Sequence, residues 1–500
     1  MSQWPARRWR AAERSLASHD TAVKDIRLTA AWVTAALTRV HGALTVGDEA
    51  REFGGVSIDT RTLAPGELFV AVRGDRFDGA DFAAAAIAGG AAGIIVPRGG
   101  RAESRRATLR EAQGRPGTAV IEVDDATVAL QCLAHAVRRA SGTKVVAITG
   151  SAGKTTTKEV TSEFLSTRYR VVRNQGNFNN HIGVPLSLIE LRQRPEIAVV
   201  ELGMNHAGEI STLVAVAEPD VRVWTNVADA HLGFFASVDA IADAKAEILE
   251  GATAFSLLVA NADDARMMAR VGRFAGRVVT FGLESAADVR ASAICDRGIS
   301  GTTAHVATPR GRVEMTTPLI GLGNLANVLA ATAVALEFDV PLSTIAEKAA
   351  TLRPARRRGE VLRLSGGVTV IDDSYNANPT ATRRALDVLA RSEAGRKVAV
   401  LGEMLELGDQ TMVLHESVGR AVPQAGDSIL LTVGGAPAAA LAAAAVAAGM
   451  PAAGVRHFAA SDEAADAAVA LARAGDLVLV KGSRGVGTDC VVDRLRAERG

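Results

Sequence analysis

A turn of small residues followed by a lysine and threonines is the feature of this chain that points most clearly to chemistry. Residues 144–157 read KVVAITGSAGKTTT, so an apolar run leads into a glycine-containing turn and then into a predicted helix. Small residues let backbone N–H groups approach an anion, and a helix N-terminus adds favourable partial charge. The lysine can reach terminal phosphates, and the threonine after it can bind magnesium. The residues expected to contact a nucleotide are Gly150, Ser151, Ala152, Gly153, Lys154, Thr155 and Thr156.

This turn is shorter than the common phosphate loop. The common pattern carries a glycine at the position that Ile148 occupies in this chain. A glycine turn ahead of a helix is most often only a connection between two elements. Here an apolar strand, a Gly-Lys-Thr sequence and a helix occur together, and this combination favours binding of nucleotide phosphates over a simple connection.

Two ionisable residues that follow other predicted strands are candidate metal ligands. Glu201 ends the apolar run 197–200, and a carboxylate near a phosphate loop can hold magnesium directly or through water. The alternative for Glu201 is an exposed glutamate at the end of a strand. His231 follows the predicted strand 222–226, where it is either a metal ligand or an ordinary loop or core histidine.

Lys245 lies on a helix predicted over residues 237–249, on the same face as Ile241 and Ile248. Such a lysine either extends its ammonium group to water or lines a site. An ammonium beside magnesium would be repelled. A buried lysine with a lowered pKa could instead react with carbon dioxide and form an anionic carbamate that binds metal. The sequence leaves both possibilities open.

Asparagines are concentrated in two segments. The asparagines of the first segment, NQGNFNNHIGVP, are Asn174, Asn177, Asn179 and Asn180. Such a dense set of amides suits hydrogen bonding to a polar substrate, although it also occurs in ordinary loops. Asn324 and Asn327 begin a predicted helix and face the same way. They are candidates for recognition of a base, and the alternative is that one of them caps the helix.

Three arginines and two aspartates mark the start of the last third of the chain. Arg356, Arg357 and Arg358 lie in a predicted linker. A basic linker is usually only solvated, but a closing domain could bring one guanidinium onto a phosphate. The sequence DDSYNANP begins with Asp372 and Asp373 at the end of a predicted strand. Adjacent residues of a strand point to opposite faces, so only one of these carboxylates is expected to face a cleft.

Composition limits the classes of function. A length of 500 residues indicates about three domains, and 48% apolar residues are enough for sizeable cores. The 56 basic and 55 acidic residues nearly balance, so the chain shows no electrostatic footprint for nucleic acid or an anionic membrane. Its three cysteines are scattered and lack metal-binding spacing, which fits free thiols in a reducing cytoplasm.

Neither a signal peptide nor a membrane span is expected. The first 25 residues contain arginines and tryptophans with no apolar run after them, and we predict a disordered tail there. The alanine-rich run 436–450 is too short and too interrupted to span a bilayer, so an ordinary packed helix is expected.

Apolar runs that alternate with helical segments predict an α/β protein with parallel sheets. The predicted parts are a tail (1–25), a first α/β domain with a connecting helix at its end (26–141), a central phosphate-loop domain with a parallel sheet (142–354) and a C-terminal Rossmann-like domain (355–500). The predicted strands include 68–72, 93–96, 145–148, 197–202, 222–226, 368–372, 398–401, 429–433 and 477–480. Helices are predicted over 81–88 and 126–141. Because most polar motifs follow strands, we expect ligands at the carboxyl edges of the sheets.

Taken together, these motifs resemble those of the Mur ligase family of ATP-dependent amide-forming enzymes, over about residues 28–490. The shortened phosphate loop, TGSAGKTT, is similar to the family's own. The sequence SIDTRTLAPGELFVAVRGDRFDG at 57–79 resembles a uridine-nucleotide domain shared by two successive ligases of the family. DDSYNANP, LGEMLELGD with His415, and KGSRG resemble the ligases that act on D-alanyl-D-alanine, and the D-N-P-R sequence expected of the preceding ligase is absent.

The resemblance implies a three-domain cytoplasmic enzyme that acts as a monomer in peptidoglycan synthesis. It would use ATP to join D-alanyl-D-alanine to a UDP-N-acetylmuramoyl-tripeptide through an acyl phosphate, with two magnesium ions and a carbamylated Lys245. The implied metal ligands are Thr155, Glu201, His231 and Lys245, and the implied catalytic residues are Lys154, His231, Lys245, Arg358 and Asp373. The residues implied to contact the rest of ATP are Asn324, Asn327 and Arg358. The residues implied to bind the other substrates are Ser57, Asp59, Thr60, Arg61, Asn177, Asn179, Asn180, Tyr375, Asn376 and Asn378.

The chain departs from the family pattern at Gly323, where histidine often precedes the asparagine pair, and at Ala80. Other functions remain as alternatives: a ligase of the same superfamily that adds the third residue, a folylpolyglutamate synthase, or a non-catalytic nucleotide-binding regulator. Residues 57–79 argue against the synthase. The combination of Glu201, His231 and Lys245 argues against the regulator, because nucleotide binding alone does not need all three.

Overall fold

Short apolar runs alternate with helical segments, and in the computed structural model they form largely parallel strands connected by helices, which confirms the predicted α/β class. The structure describes residues 25–74, 76–99, 102–426 and 428–500. The tail predicted over residues 1–25 lies outside the described residues, apart from its last one. The chain divides into two compact units. The first unit comprises the described residues up to Ala147, Arg170–Leu202 and Ser211–Asp220, and the second comprises Ile148–Tyr169, Gly203–Ile210 and Val221–Gly500.

The strands of the first unit are β1 (Leu28–Thr29), β2 (Ala43–Val46), β3 (Glu52–Phe53), β4 (Val56–Ser57), β5 (Leu68–Val70), β6 (Gly93–Pro97), β7 (Ala119–Val123), β8 (Lys144–Thr149), β9 (Val171–Arg173) and β10 (Ile197–Glu201). The last two residues of β8 belong to the second unit. The helices of the first unit are Ala30–Ala36, Ala83–Ala88, Ala102–Gly114, Ala126–Ser141 and Gly183–Ile189. The helix Glu209–Ala217 has residues in both units.

One sheet of the first unit has the strand order β2-β7-β6-β5-β4. Its strands β4 to β7 are parallel, and β2 joins β7 antiparallel at the edge. Every residue of β7 is buried, as expected for a parallel strand that is covered on both faces. Separately, β1 pairs with β3 antiparallel, and β9 pairs with β10 parallel.

The helix predicted over residues 126–141 is confirmed with these bounds, as Ala126–Ser141. Asp125 caps its first turn, because its carboxylate accepts the N–H groups of Thr127 and Val128 at 2.7 and 2.9 Å. The helix ends at Gly142, whose φ of +70° is a left-handed conformation that suits glycine. Both ends were predictable because both signals are local in the sequence.

The strands of the second unit are β11 (Val221–Trp224), β12 (Leu257–Asn261), β13 (Arg277–Gly282), β14 (Val289–Asp296), β15 (Thr302–Thr308), β16 (Gly311–Thr317), β17 (Glu360–Arg363), β18 (Thr369–Asp373), β19 (Arg396–Gly402), β20 (Ile429–Val433), β21 (Val455–Phe458) and β22 (Asp476–Lys481). Its helices are Lys154–Leu165, Val238–Ala246, Ala265–Val271, Leu322–Glu337, Leu342–Ala349, Pro379–Arg391, Thr411–Gly419, Ala436–Ala447, Ser461–Leu471 and Asp489–Arg499. No helix in the described part of the chain is both long and apolar enough to cross a membrane.

Strands β11 to β14 pair in parallel, but β14, β15 and β16 continue the sheet antiparallel. The parallel sheet predicted for this part is therefore mixed. In β15 the residues Thr302, Ala304 and Val306 are buried and alternate with more exposed ones. This alternation is typical of an antiparallel strand with one covered face, and it is weaker in the sequence than a continuous apolar run such as that of β10.

The last sheet has the order β17-β18-β22-β19-β20-β21, in which only the edge strand β17 runs antiparallel within this described sheet. Alternate residues of its strands supply two separate cores. Ile371 and Leu479 belong to one core, whereas Val370 and Val480 belong to the other. A parallel sheet packed on both faces agrees with the predicted Rossmann-like arrangement.

Two predicted elements have different bounds in the structure. The strand predicted over 222–226 ends at Trp224, and Thr225 and Asn226 leave the sheet. The helix predicted over 81–88 begins at Ala83 and is preceded by a short 3-10 turn. The earlier end of β11 is relevant to function, because Thr225 and Asn226, which lie outside the sheet, contact the phosphate loop.

His415 holds the loop that follows β19. It is fully buried, its Nε2 accepts the N–H group of Met404 at 2.9 Å, and its Nδ1 donates to the carbonyl of Thr411 at 2.7 Å. Burial lowers the pKa of His415 below its ordinary value of 6.5. The neutral ring is therefore the form that the folded protein prefers.

We predict that this loop loses stability as the pH falls below 6.5, the ordinary pKa of the histidine side chain. In that range the unfolded segment binds a proton at His415 that the folded protein does not bind, so unfolding becomes easier, by at most about 1.4 kcal/mol per pH unit. Amide hydrogen exchange of a peptide spanning 401–415, corrected for the intrinsic effect of pH, measures this change. His415→Gln, which has no proton to gain, should show a smaller dependence, and an equal dependence in both proteins would contradict the prediction.

Candidate active site

The phosphate loop is held by the residues that follow β11. Asn226 receives the N–H group of Ala152 on its side-chain oxygen and donates back to the Ala152 carbonyl, both at 2.9 Å. Ser151 exchanges hydrogen bonds with the backbone of Ala228 at 3.2 and 2.9 Å. Lys154 folds back and donates to the Gly150 carbonyl at 2.8 Å. The loop is thus fixed before any phosphate arrives.

Two glycines of this loop cannot carry a side chain. A Cβ atom at Gly150 would lie 1.9 Å from the Thr225 hydroxyl oxygen. A Cβ atom at Gly153 would lie 2.3 Å from the side-chain oxygen of Asn327, and Gly153 also has a left-handed φ of +82°. The loop therefore depends on glycine at both positions for space and, at Gly153, for conformation as well.

Asn324 and Asn327 lie at the start of the helix Leu322–Glu337, next to the phosphate loop. Gly321 occupies the N-cap position and no side chain caps the helix, so the capping alternative for the two asparagines is wrong. Asn327 donates to the Asn324 oxygen at 3.1 Å, and Asn324 donates to the carbonyl of Ile320 at 2.9 Å. The predicted base-recognition pair therefore forms one hydrogen-bonded row that begins beside Gly153.

Lys245 is buried on the helix Val238–Ala246, with 1% of its surface exposed. The alternative in which its ammonium group reaches water is therefore wrong. Burial, and next the charge of Lys154, lowers the pKa of Lys245 well below its ordinary value of 10.5. Within the described residues, Lys245 has no hydrogen bond or ion pair that would keep it charged. A buried amine of this kind is prone to the neutral, nucleophilic form.

His231 adopts a left-handed φ of +62° after β11, and its side chain is 19% exposed. Its Nδ1 atom lies 2.7 Å from a carboxylate oxygen of Glu406. The hydrogen bond from His231 lowers the pKa of the Glu406 carboxyl. The Nε2 atom has no partner among the described residues, so it remains available to a ligand.

Glu201, in the first unit, is buried with 2% exposure, so the alternative of an exposed strand-end glutamate is wrong. Asn179 donates to its carboxylate at 2.7 Å. Asn174 accepts the Glu201 N–H group at 3.0 Å and donates to the Phe178 carbonyl at 2.8 Å, which ties the asparagine-rich loop to the end of β10. Of the other predicted substrate-binding amides, Asn177 is exposed, and Asn180 accepts the N–H of a residue that starts the next helix.

The predicted uridine-nucleotide residues form a compact turn. Arg61 binds Asp59 with hydrogen bonds of 2.5 to 3.1 Å, and this side-chain contact is the main cause that lowers the pKa of Asp59 to about 2. The Ser57 hydroxyl and the Asp59 backbone also lie within hydrogen-bonding distance, at 3.2 Å. Thr60 completes the turn and is half-buried. The carboxylate is therefore ionised and its arginine oriented.

The two aspartates at the end of β18 have opposite surroundings, as predicted. Asp372 is buried, accepts the Ser374 hydroxyl at 2.6 Å and has a pKa raised by burial. Asp373 pairs with the buried ammonium of Lys481 at 2.6 Å, and Lys481 also donates to the Asn376 carbonyl at 3.0 Å. Asp373 is therefore the carboxylate of the pair that is available to a substrate.

The predicted arginine cluster separates into different roles. Arg357 forms ion pairs with Asp489 and Asp493 at 2.6 and 3.2 Å, which indicates a structural role. The Arg358 guanidinium lies 4.0 Å from the centre of the Tyr375 ring. Neither Arg358 nor the exposed Arg356 forms an ion pair among the described residues, so both can bind an anion. Two further predicted substrate residues bind the backbone locally. Asn376 accepts the N–H group of the next residue, Ala377, at 2.9 Å, and Asn378 caps the helix Pro379–Arg391 by accepting the N–H group of Ala381 at 2.8 Å.

Sequence reasoning missed three residues near these groups. Lys481 and Glu406 lie in the motifs KGSRG and LGEMLELGD, but their partners are far away in the sequence. Arg384 packs against Gly323, where an added Cβ would lie 3.3 Å from the arginine side chain. A side chain at position 323 would therefore require Arg384 to shift.

The described residues contain no group of three or more His, Cys, Asp or Glu side chains that could hold a metal ion. The predicted magnesium ligands differ from such a cluster, because they are one hydroxyl, one carboxylate, one imidazole and one lysine. A carbamate at Lys245 would add the oxygen ligands that magnesium prefers. The partnerless buried amine of Lys245 fits this chemistry.

Comparison with known proteins identifies the family. The Mur ligase family catalytic domain matches residues 52–138, the Mur ligase middle domain matches 148–335 and the glutamate ligase domain matches 357–484. The UDP-N-acetylmuramoyl-tripeptide–D-alanyl-D-alanine ligase of Bacillus subtilis (strain 168) is 33% identical over 443 residues, which is 88% of this chain and 93% of that protein. The protein of the same name from Escherichia coli (strain K12) is 37% identical over 380 residues, 76% of this chain and 81% of that protein.

Solved structures agree with these relatives. MurF from Acinetobacter baumannii has a TM-score of 0.83 at 29% identity and covers 95% of this chain and 100% of its own. MurF ligase from Thermotoga maritima in complex with ADP has a TM-score of 0.77 at 27% identity, with coverage of 89% and 97%. A Mycobacterium tuberculosis folylpolyglutamate synthase is 17% identical and shares only the fold. The chain therefore belongs to the Mur ligase family. Within that family it is MurF-like.

We predict that Gly153→Ala weakens ADP binding by at least about tenfold, because the new methyl group would collide with Asn327 at 2.3 Å. Isothermal titration calorimetry with ADP measures the change. Gly251→Ala is the matched control, since Gly251 also has a left-handed φ, of +61°, but a Cβ there meets no atom within 4 Å. Equal affinities of wild type and Gly153→Ala would show that this loop does not hold the nucleotide.

Proposed function

We propose that the chain is an ATP-dependent ligase that joins D-alanyl-D-alanine to a UDP-N-acetylmuramoyl-tripeptide and releases ADP and phosphate. The observation that carries the proposal is the full-length similarity to ligases of that name, across 93% of the Bacillus subtilis protein. The pre-formed phosphate loop against Asn327 supplies the physical basis for ATP use. The proposal includes a cytoplasmic monomer whose product serves cell-wall growth, cell shape and cell division.

The proposed reaction has two chemical steps. The terminal carboxylate of the tripeptide attacks the γ-phosphorus of ATP in line, forms an acyl phosphate and releases ADP. The amine of D-alanyl-D-alanine then attacks the acyl carbon, and the tetrahedral intermediate loses a proton and expels phosphate as the amide forms. Phosphoryl transfer depends mainly on positioning and on neutralising negative charge, and both are functions that this site is built for.

The phosphate loop would bind the nucleotide through its backbone N–H groups. Lys154, whose ammonium lies 2.8 Å from the Gly150 carbonyl, would move a short way to a terminal phosphate oxygen. Asn324 and Asn327 would place the base side of ATP, and the neighbouring Arg384 would add a positive charge there. Arg358, stacked on Tyr375, would contact a phosphate from the C-terminal segment.

Magnesium would neutralise the charge of the phosphates when it is bound. The proposed ligands are Thr155, Glu201, His231 and carbamylated Lys245, for two ions. The support for a carbamate at Lys245 is that its buried amine has a lowered pKa and, among the described residues, no hydrogen-bond or ion-pair partner. Reaction with carbon dioxide would replace this poorly solvated amine by an anion, and the positive charge of Lys154 would stabilise that anion. Asn179, which donates to Glu201, would hold that carboxylate in one orientation.

The remaining residues would bind the two other substrates. Ser57, Thr60 and the Asp59–Arg61 pair would line the uridine-nucleotide pocket, with Asn177, Asn179 and Asn180 as further polar contacts. Asp373, fixed by Lys481, would orient the ribose or phosphate region of ATP, and Tyr375, Asn376 and Asn378 would shape the surroundings of the incoming dipeptide. Closure of the site would also protect the acyl phosphate from water.

Phosphate release from ATP tests the reaction. We predict release only when the UDP-N-acetylmuramoyl-tripeptide and D-alanyl-D-alanine are both present, together with a heavier nucleotide product in the mass spectrum. Release with a dipeptide nucleotide and a diamino acid would instead assign the chain to the preceding ligase step. Binding of ATP without any turnover would indicate a regulator.

We predict that Lys245→Ala loses most activity and that short carboxylates such as formate restore part of it, because they replace the missing carbamate oxygens. Activity with and without added formate, measured in parallel with carbon dioxide removed or supplied, checks this. Lys348→Ala is the control, since Lys348 pairs at the surface with Glu163 and should show neither effect. If formate and carbon dioxide leave the Lys245→Ala and wild-type rates unchanged, the carbamate is wrong.

A further inference from the structure

Two loops meet at His231, one after β11 and the other after β19. The Glu406 carboxylate lies 2.7 Å from His231 Nδ1, and the Glu406 carbonyl accepts the N–H group of Gly233 at 2.8 Å. His231 and Glu406 both have left-handed backbone conformations, with φ of +62° and +65°. Left-handed conformations are unfavourable for residues other than glycine, so holding this contact costs conformational free energy in both loops.

Glycines let the two loops approach closely. A Cβ atom at Gly408 would lie 2.9 Å from the Gly233 Cα atom, so no side chain fits between them. Glu406 is thus held against His231 by its own main chain as well as by its carboxylate. The carboxylate is half exposed, and an ion pair with that exposure adds little stability. The arrangement is better explained by what Glu406 does to the histidine ring.

A carboxylate at Nδ1 determines the state of an imidazole ring. An ionised carboxylate can only accept a hydrogen bond, so it places the proton on Nδ1 and leaves the lone pair on Nε2. It also fixes the rotation of the ring. Histidines that bind metal ions are commonly oriented by a carboxylate in this way, and loss of such a carboxylate typically costs about 10- to 100-fold in affinity or activity.

We propose that Glu406 is a positioning residue that prepares His231 to bind its ligand through Nε2. The inference rests on the proposed function, in which His231 is a magnesium ligand. The inference goes beyond the proposed function because it links two parts of the chain. Glu406 lies in the part that matches the glutamate ligase domain, whereas His231 lies in the part that matches the middle domain. The orientation of His231 therefore depends on a carboxylate supplied by the C-terminal segment.

The test compares Glu406→Ala and Glu406→Gln in the full chain, with Asp409→Asn as the matched control. Asp409 is an exposed carboxylate in the same loop without a hydrogen bond or ion pair to its side chain among the described residues. The first readout is the protonation pattern of His231 in the ¹⁵N spectrum of histidine-labelled protein. The chain has 9 histidines, and His231→Gln assigns the resonance. The second readout is kcat and KM for each substrate.

We expect wild type and Asp409→Asn to carry the His231 proton on Nδ1. Glu406→Ala should lose this preference and lower kcat by about 10- to 100-fold with the KM of the UDP-tripeptide unchanged. Glu406→Gln, whose amide oxygen can still accept a hydrogen bond from Nδ1, should recover part of the Nδ1 preference and part of the lost kcat. This recovery separates positioning from a loss of folding.

Two results would overturn the inference: a wild-type His231 without a proton on Nδ1, or a Glu406→Ala protein that changes the ring but keeps the wild-type kcat. Failure of the proposed function looks different, because the wild-type enzyme itself would then form no product from the named substrates. In that case the nitrogen spectrum would still report whether Glu406 sets the state of the ring.

Discussion

The close contact between the phosphate loop and the side chains around it is the constraint on which the rest of the site depends. Gly150 lies against Thr225 and Gly153 against Asn327, at distances that exclude any Cβ atom. The loop, the end of β11 and the start of the helix Leu322–Glu337 are thereby held together. Asn226 and Ser151 add hydrogen bonds that hold the loop against the residues after β11. Because the loop is already ordered, binding of phosphate does not have to compensate for the entropy of forming it.

The same site also buries an ionisable side chain, the amine of Lys245, in surroundings that disfavour its charge. Lys245 is buried without a partner, beside the like charge of Lys154, and the pKa of Lys245 falls accordingly. A fold selected only for stability would replace such a residue with an apolar one, since an unpaired buried amine is costly. The proposed carbamate would account for its presence, because an anion formed on this amine would be stabilised by the charge of Lys154.

The sequence predicted best those features whose signals are local. The helix Ala126–Ser141 was predictable from its capping residues, and the phosphate loop from a continuous run of residues. The positions of single side chains were harder to predict. Glu406 is 175 residues from His231, and Lys481 is 108 residues from Asp373, so no local pattern links either pair. The strands β12 to β16 were not named in the prediction. In β15 one-sided burial leaves only an alternating apolar signal, which is weaker than that of a strand buried on both faces.

Two of these long-range contacts have a common direction. Glu406 and Arg384 belong to the C-terminal segment, and they contact groups of the middle part that sequence reasoning had placed in ATP chemistry, His231 and the start of the Asn324 helix. Lys481 and its partner Asp373 both lie in the C-terminal segment. In a reaction with an acyl phosphate intermediate, early formation of that intermediate would expose it to hydrolysis. If the residues that orient the first step come from the segment that serves the second, the intermediate forms only where its acceptor can bind. The proposed coupling of the two steps therefore depends on contacts between residues that are far apart along the chain, such as Glu406 with His231.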